Sequence, residues 1–390
     1  DYLDIVPDER AQESDTWKTE GAVRGYLYSC YGYLPANRTF GNSYWLAEEL
    51  TAVTKELFTT FKYGYYSPVS LGFTSNTWST IWNGIHQCYM FQESLKQVSN
   101  EYVTDEMKKQ YLAESNFLIA YYHFLSMRSY GPTMIIRSVI DLDTPISGFP
   151  ERSSIDEVVA FINEKLDEAM SEGGLPTTWS GKDYGRATRL AALALKSRVY
   201  LYAASPLYNG NTEMYADFRS PLDGRQLIAQ EKSQAKWEIS ATQTKYAIDE
   251  VEKAKFHLYH DADAGEPSDA KPGLPNKAQR RLRYTNIDNQ TGNNPEIIWA
   301  DTRNDDYYGI QRRCPPRQTL GGKFAGISMT NCPTLQTIEA FYTKNGLPIN
   351  KDKTFDYDER YEYISAPGYA GKSAKTRHRR TAPVHRCGCA

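Results

Sequence analysis

Residues 187–204 read Ala-Thr-Arg-Leu-Ala-Ala-Leu-Ala-Leu-Lys-Ser-Arg-Val-Tyr-Leu-Tyr-Ala-Ala, and Ser205-Pro206 follows them. On a helix, this sequence places apolar residues on nearly every face, and its alanines let neighbouring helices approach closely. The proline that follows favours a helix end at that point. The segment therefore predicts a central helix that is packed on several sides.

Further helices are predicted on both sides of this segment. Residues 105–130 carry one apolar stripe, and Glu114 lies off that stripe on the side expected to face water. Ser154 and Glu157 have the spacing of a capping box, which predicts a helix start there. Residues 133–137 and 296–300 are predicted to be extended. The predicted helices are 14–34, 76–99, 105–130, 154–172, 187–204, 236–255 and 335–342.

These helices follow one another as hairpins, which favours a mainly α fold. We predict a tetratricopeptide-like helical-hairpin stack over residues 14–256, with long aromatic loops and a few short strands. Residues 260–350 are predicted to form a loop-rich ligand or lid region. Residues 351–390 read as an irregular tail with a basic run near its end, which a truncated or out-of-frame sequence would explain.

Aromatic residues are abundant, with 30 tyrosines, 14 phenylalanines and 7 tryptophans in 390 residues. Tyrosine combines an apolar ring with a hydroxyl group, so it suits both helix packing and a surface that binds flat, hydroxylated molecules. Many of these aromatics lie in the turn-rich segment 35–75, and long loops in compact domains are often functional. Trp78 and Trp82 are four residues apart, and we expect Trp82 to be a core anchor of the helix that starts there.

The rest of the composition excludes several classes of protein. The 45 basic and 48 acidic residues give a net charge of −3, which argues against a nucleic-acid partner. The chain has no apolar run long enough for a membrane-spanning helix and no motif for a nucleophile, a phosphate-binding loop or a dinucleotide. His257 and His260 lack a third ligand for a metal site. No cofactor is therefore expected, although the acidic loop 301–306 could bind a structural calcium ion.

Several segments together resemble the SusD/RagB family of outer-membrane nutrient-binding lipoproteins. The most specific match is Gly185-Arg186-Ala187-Thr188 with the helix that follows it. The resemblance runs from residue 1 to about residue 350, which we take as one domain. Its other segments are 1–7, 82–88, 113–124 with Tyr130-Gly131-Pro132, 152–157, 294–299 and 333–349.

The resemblance implies a binding protein and not an enzyme. Members of this family are attached to the outside of the Gram-negative outer membrane by an N-terminal lipid, and they deliver oligosaccharides to a TonB-dependent SusC-like transporter. Some members bind peptides, so a peptide-binding or protein-binding role is an alternative. The family also continues for more than a hundred further residues, which are missing from this sequence. The disulfide state of Cys314 and Cys332 remains open.

A glycoside hydrolase on the same scaffold is the enzymatic alternative. It would require two carboxylates facing each other across a cleft. The candidates are Glu48 with Glu49, and Asp301 with Asp305 or Asp306. Adjacent acidic residues in a sequence are usually solvated, so we favour binding without turnover.

Two loops have the chemistry of a sugar-binding site, because aromatic rings can stack on sugar rings and polar side chains can bind their hydroxyls. The first loop precedes Trp78, and the second follows the basic cluster at 280–283. The predicted ligand-binding residues are Tyr63, Tyr65, Tyr66, Phe73, Asn76, Arg283, Tyr284, Asp301, Arg303, Tyr307, Tyr308 and Arg312.

Overall fold

A computed structural model describes residues 17–35, 50–52, 73–141, 143–260, 285, 294–302, 331–343, 345–358, 360, 363–364 and 377–378. These residues belong to two compact units. The first comprises the described residues of Asp1–Leu34, Leu71–Asp263 and Asp288–Thr302. The second comprises those of Pro35–Ser70, Ala264–Ile287 and Arg303–Ala390.

The described residues are mainly helical, as predicted. The helices are α1 (Glu20–Tyr31), α2 (Phe73–Leu95), α3 (Asp105–Tyr130), α4 (Ile155–Ala169), α5 (Arg189–Ala204), α6 (Thr212–Tyr215), α7 (Gln234–Lys253) and α8 (Leu335–Glu339). The short strands are β1 (Leu50–Ala52), β2 (Thr133–Met134), β3 (Arg152–Ser153), β4 (Asn331–Pro333), β5 (Tyr363–Ile364) and β6 (Arg377–His378).

The first unit is a succession of packed helices. Helix α1 packs on α2, α2 on α3, α3 on α4, α4 on α5, and α5 on α7. Helix α3 lies at the centre and is buried on most of its faces from Tyr111 to Met127. Helix α5 contacts α3, α4 and α7, which confirms the prediction that it is packed on several sides.

Side-chain caps fix where several helices begin. The hydroxyl of Thr188 accepts a hydrogen bond from the Ala191 N–H at 3.0 Å and caps α5. Ser154 and Glu157 form the predicted capping box at the start of α4. The predicted start of the first helix at residue 14 is wrong, because the side chain of Thr19 caps α1 and the helix begins at Glu20.

Of the two segments predicted to be extended, only the first contains a strand. Strand β2 pairs antiparallel with β3, so residues 133–137 contain a short strand. Residues 296–300 form turns and not a strand. The reason is local, since the side chain of Asn294 accepts a hydrogen bond from the Glu296 N–H at 3.1 Å and turns the backbone.

The second unit contains two antiparallel strand pairs, β1 with β4 and β5 with β6. Thr334 caps the short helix α8, which ends at Glu339, three residues before its predicted end. Beyond it, the Thr343 N–H donates to the Leu347 carbonyl at 2.8 Å and closes a turn. The pair of β5 and β6 lies within the segment 351–390 that was predicted to be irregular.

Candidate functional site

The most specific sequence motif, Gly185–Thr188, forms a buried ion-pair network. Arg186 donates from Nε to Oε2 of Glu114 at 3.2 Å and from Nη2 to Oε1 of the same carboxylate. Its Nη1 donates to Asp183 at 2.8 Å. The hydroxyl of Tyr31 donates to Glu114 at 2.6 Å and accepts from the Ala187 N–H at 2.9 Å. The network therefore ties α1, α3 and the segment before α5 together.

Glu114 is fully buried, which corrects the expectation that it faces water. Burial raises the pKa of the Glu114 carboxyl above its ordinary value, although Arg186 and Tyr31 act in the opposite direction. Burial also lowers the pKa of Arg186, but the charge and hydrogen bonds of Glu114 outweigh that effect and hold it above its ordinary value. Both ions are thus desolvated, and each depends on the other.

The neighbouring motif residues are structural as well. Gly185 has φ +99°, and a Cβ there would lie 2.9 Å from the Cγ2 of Thr302. Its carbonyl accepts a hydrogen bond from the indole of Trp299 at 2.8 Å. The guanidinium of Arg186 lies 4.0 Å from the centre of the Trp179 ring. The motif therefore holds the fold together and is not itself a ligand site.

Most of the predicted ligand-binding residues fall outside the part of the chain that the structure describes. Asp301 is among the described residues; it is exposed and follows the turns at 294–300. The role of the whole set remains a prediction. The residues outside the described ranges are Tyr63, Tyr65, Tyr66, Arg283, Tyr284, Arg303, Tyr307, Tyr308 and Arg312.

The loop predicted at Phe73 is wrong, because α2 begins at Phe73. Asn76 was assigned to the ligand-binding loop and also to the predicted helix 76–99, and it lies in α2. The segment after Phe73 reads Thr-Ser-Asn-Thr, and residues of these types compete with helix formation, so the sequence indicated a later start. The long apolar stripe of α2 extends the helix through them.

The described residues enclose a cleft of about 460 Å³ beside α2. Its walls come from α2, from β2 and from the segment that follows β2 as far as Phe149. We call it the α2 cleft. Its lining residues are Trp78, Ser79, Trp82, Asn83, Ile85, His86, Met134, Ile136, Ser138, Ile140, Asp141 and Phe149.

Two tryptophans contribute to the aromatic lining of the cleft, and packing fixes both. The Trp78 and Trp82 rings have centroids 5.2 Å apart. Trp78 meets Tyr130 edge to face at 4.9 Å, and Trp82 meets His123 edge to face at 5.9 Å. Trp82 is only partly buried and packs against the core, so it is a core anchor, as expected, that also lines the cleft.

His123 is a buried, neutral histidine behind this wall. Burial, with the charges of Lys165 and Arg137, lowers the pKa of His123 to about 4, although the hydrogen bond that the ring donates to the Ile119 carbonyl acts in the opposite direction. The Ile119 carbonyl lies 2.8 Å from Nδ1, and the Ile136 N–H donates to Nε2 at 3.3 Å. Nε2 must therefore be unprotonated, which fixes the tautomer.

Some polar side chains at the cleft make no hydrogen bond within the part of the chain that the structure describes. Asn83, His86 and Ser138 are exposed, and none has a hydrogen bond to another described residue. The carboxylate of Asp141 accepts only from the Asp143 N–H, at 3.0 Å, among the described residues. The cleft thus combines fixed aromatic rings with polar groups that a ligand could bind.

His257 and His260 do not belong to a metal-binding cluster of described residues. The rings of His257 and His260 stack with centroids 5.4 Å apart. No cluster of three or more His, Cys, Asp or Glu side chains suited to a metal occurs within the described residues. In the same part of the chain, no helix combines the length and the apolarity required to cross a bilayer. Residues 303–306 of the proposed calcium loop lie outside the described ranges, as do Glu48, Glu49 and Cys314.

The α2 cleft was not predicted from the sequence. Trp82 was expected to be a core anchor, and residues 138–149 were given no role. A usable signal was present, because Asn83 and His86 continue the helical spacing of Ser79 beside the two tryptophans. The opposite wall could not be predicted, since its position depends on how β2 pairs with β3.

Comparison with known proteins identifies the family. A SusD-like family model, described as "Starch-binding associating with outer membrane", matches residues 1–201. This chain belongs to the SusD-like family. The match covers more than half of the chain and includes both Glu114 and Arg186. No significant match was found among curated protein sequences.

Solved structures of SusD-like proteins share the fold. The structure of the protein BT4246 superposes with a TM-score of 0.69 at 28% identity, covering 90% of this chain and 62% of that one. A SusD-like protein from Bacteroides fragilis (BF3747) superposes with a TM-score of 0.61 at 21% identity, covering 87% of this chain and 55% of that one. The fold is therefore the tetratricopeptide-like helical stack of SusD-like proteins, and this chain spans less than two thirds of their length.

Proposed function

We propose that this SusD-like protein is a cell-surface lipoprotein of a Gram-negative outer membrane that binds oligosaccharides without hydrolysing them. It passes them to a TonB-dependent SusC-like transporter and needs no cofactor. The observation that carries this proposal is the starch-binding, outer-membrane family model over residues 1–201. The likeness to BT4246 over 90% of the chain supports the same fold.

The physical chemistry of glycan capture agrees with the composition. Sugar rings present flat C–H faces that pack on aromatic rings, while buried polar contacts to their hydroxyls give specificity. The 30 tyrosines provide many rings with hydrogen-bonding tips. The α2 cleft shows this pairing of rings and polar groups directly, with Trp78 and Trp82 beside Asn83.

A titration of the purified protein with neutral oligosaccharides tests the proposal. Maltoheptaose, cellohexaose, xylohexaose and mannohexaose form a suitable first panel, with a mixed peptide library as the competing ligand class. We expect saturable binding of at least one oligosaccharide and no release of reducing sugar on prolonged incubation. Binding of peptides alone, or turnover of any oligosaccharide, would contradict the proposal.

The predicted loop site has its own test. Replacing Tyr65, Tyr66, Tyr307 and Tyr308 with alanine should weaken glycan binding at least about tenfold, because each stacked ring contributes about 1 kcal/mol. The thermal midpoint should remain nearly unchanged. The exposed tyrosines Tyr246 and Tyr342, replaced with alanine, form the control. Parental affinity in the quadruple variant would place the site elsewhere.

Delivery to a transporter requires a separate measurement. The protein is coexpressed with a SusC-like transporter from the same genome, and the membrane fraction is purified through a tag on the transporter. We expect the SusD-like protein to copurify. Its absence from the complex, while glycan binding is retained, would overturn the delivery step alone.

A further inference from the structure

We propose that the α2 cleft is a second saccharide-binding subsite, which takes a neutral sugar segment and is separate from the two predicted aromatic loops. The ligand class rests on the proposed function. The location does not, since it follows from the geometry of residues in α2, in β2 and in the segment that ends at Phe149.

The size of the cleft fits a small ligand. Its volume of about 460 Å³ lies within the range of ligand pockets, which is roughly 300–1,000 Å³. Two regular elements, α2 and β2, form much of its wall, so its shape is supported by backbone hydrogen bonds. Such a site can receive a ligand without refolding.

The aromatic wall is preorganised. Trp78 is held by Tyr130 and Trp82 by His123, so neither indole has to lose much freedom when a sugar ring stacks on it. Phe149 is 48% exposed and lines the same cleft. A ligand would therefore cover apolar surface that is now in contact with water.

The polar groups are arranged as a sugar requires. Ser79, Asn83 and His86 lie at positions i, i+4 and i+7 of α2, so they form one stripe beside the tryptophans. Ser138 and Asp141 lie on the segment after β2. Asn83, His86 and Ser138 have no hydrogen bond to other described residues, so their donors and acceptors are available to sugar hydroxyls.

The charge of the lining excludes an anionic ligand. No lysine or arginine lines the cleft among the described residues, and the one acidic residue is Asp141. Arg152 lies 6.0 Å from the centre of the Trp78 ring, but it donates to the carbonyls of Pro132 and Tyr130. A phosphate or a uronic acid would meet a carboxylate without a paired cation, so a neutral hexose or pentose segment is the better match.

The test observes the two cleft tryptophans while the oligosaccharide panel is titrated. The indole N–H resonances of Trp78 and Trp82 are assigned with the variants Trp78→Phe and Trp82→Phe. We expect the neutral oligosaccharide that binds best to shift both resonances. The shifts should persist in the variant that lacks Tyr65, Tyr66, Tyr307 and Tyr308, because the subsite is independent of the loops.

A matched pair of variants measures the contribution to affinity. The triple variant Asn83→Ala, His86→Ala, Phe149→Ser should bind the same oligosaccharide roughly tenfold more weakly, from the loss of one ring and two hydrogen-bonding groups. The control variant Gln97→Ala, Leu222→Ser changes exposed residues outside the cleft and should keep the parental affinity. Equal thermal midpoints confirm that both variants are folded.

The outcomes separate the two proposals. If the parent protein binds an oligosaccharide but the indole resonances do not move and the triple variant binds equally well, the subsite is wrong and the proposed function stands. If no member of the panel binds the parent protein, both the proposed function and the subsite fail. Shifts caused only by the peptide library would also overturn the saccharide assignment.

Discussion

The two halves of helix α3 serve different purposes. In its first half, Glu114 is fully buried and every oxygen of its carboxylate is paired with Arg186 or Tyr31. In its second half, His123 and Tyr130 support the tryptophans of a cleft where Asn83, His86 and Ser138 have no hydrogen bond to another described residue. The most recognisable sequence motif therefore marks a structural network, while the surface available to a ligand lies elsewhere. Substitutions in the two halves should therefore change the free energy of unfolding by different amounts and for different reasons.

The largest effect is expected at the ion pair. Arg186→Ala leaves the Glu114 carboxylate buried without its cation, which should lower the free energy of unfolding by about 3–5 kcal/mol. Urea denaturation at neutral pH measures this loss. Arg189→Ala is the matched control, because Arg189 is partly exposed and lies 3.8 Å from Glu250, so its loss should cost about 1 kcal/mol or less. A cost for Arg186→Ala as small as that of the control would contradict the structural role of the motif.

The second largest effect is expected to be a dependence of stability on pH, caused by His123 in the second half of α3. The pKa of His123 is about 4 in the folded protein, below the ordinary value of 6.5, so the unfolded chain binds a proton more readily between these values. The contribution of neutral His123 to the free energy of unfolding is fully present above pH 6.5. It is lost as the pH falls towards 4. The loss should reach roughly 3 kcal/mol.

Urea unfolding of the parent protein and of His123→Gln from pH 7.5 to pH 4 measures this dependence. Glutamine keeps hydrogen-bonding groups but does not titrate, so the variant should lose less stability over the same range. Identical slopes for the two proteins would show that His123 does not carry the effect.

A smaller loss is expected at the edge of the ion-pair network. Tyr31→Phe removes the hydroxyl that donates to Glu114 and accepts from the Ala187 N–H, which should cost about 1–2 kcal/mol. Tyr28→Phe on the same helix is the control, because Tyr28 is 39% exposed. Chemical denaturation gives the free energy of unfolding of each variant. If Tyr31→Phe leaves that free energy unchanged, the network does not extend to α1.

The smallest effect on stability is expected at the α2 cleft. Asn83→Ala combined with Ser138→Ala removes exposed polar groups that have no described hydrogen bonds, so the free energy of unfolding should change by about 0.5 kcal/mol or less. A loss above about 1 kcal/mol would show that these side chains serve the fold. The same denaturation series therefore distinguishes a ligand surface from a structural one.

Much of the fold was predictable because local signals agreed with tertiary packing. The capping box of Ser154 and Glu157 and the span of α3 follow from residues close in sequence, whereas α5 begins at Arg189 and not at its predicted start, residue 187. Glu114 was misplaced because its burial depends on Arg186, 72 residues away, which no helical pattern reveals. The strand expected at 296–300 failed for a similar reason, since Asn294 turns the chain and Trp299 is held by the carbonyl of Gly185.

The candidate site was less predictable than the fold. The choice of two aromatic loops rested on composition, and most of those residues lie outside the described ranges, so that choice remains a prediction. The α2 cleft needs residues from α2 and from the segment after β2, and only the tertiary structure brings these together. Sequence spacing can identify one wall of such a site but not the wall that faces it.

The most direct test of glycan capture is a calorimetric titration of the purified protein with the neutral oligosaccharide panel, followed by chromatography of the recovered ligand. We expect saturable binding of at least one oligosaccharide, which is recovered at its original length. If none of the panel binds, or if a bound oligosaccharide is recovered as shorter products, the protein is not a non-catalytic glycan-binding member of the SusD-like family.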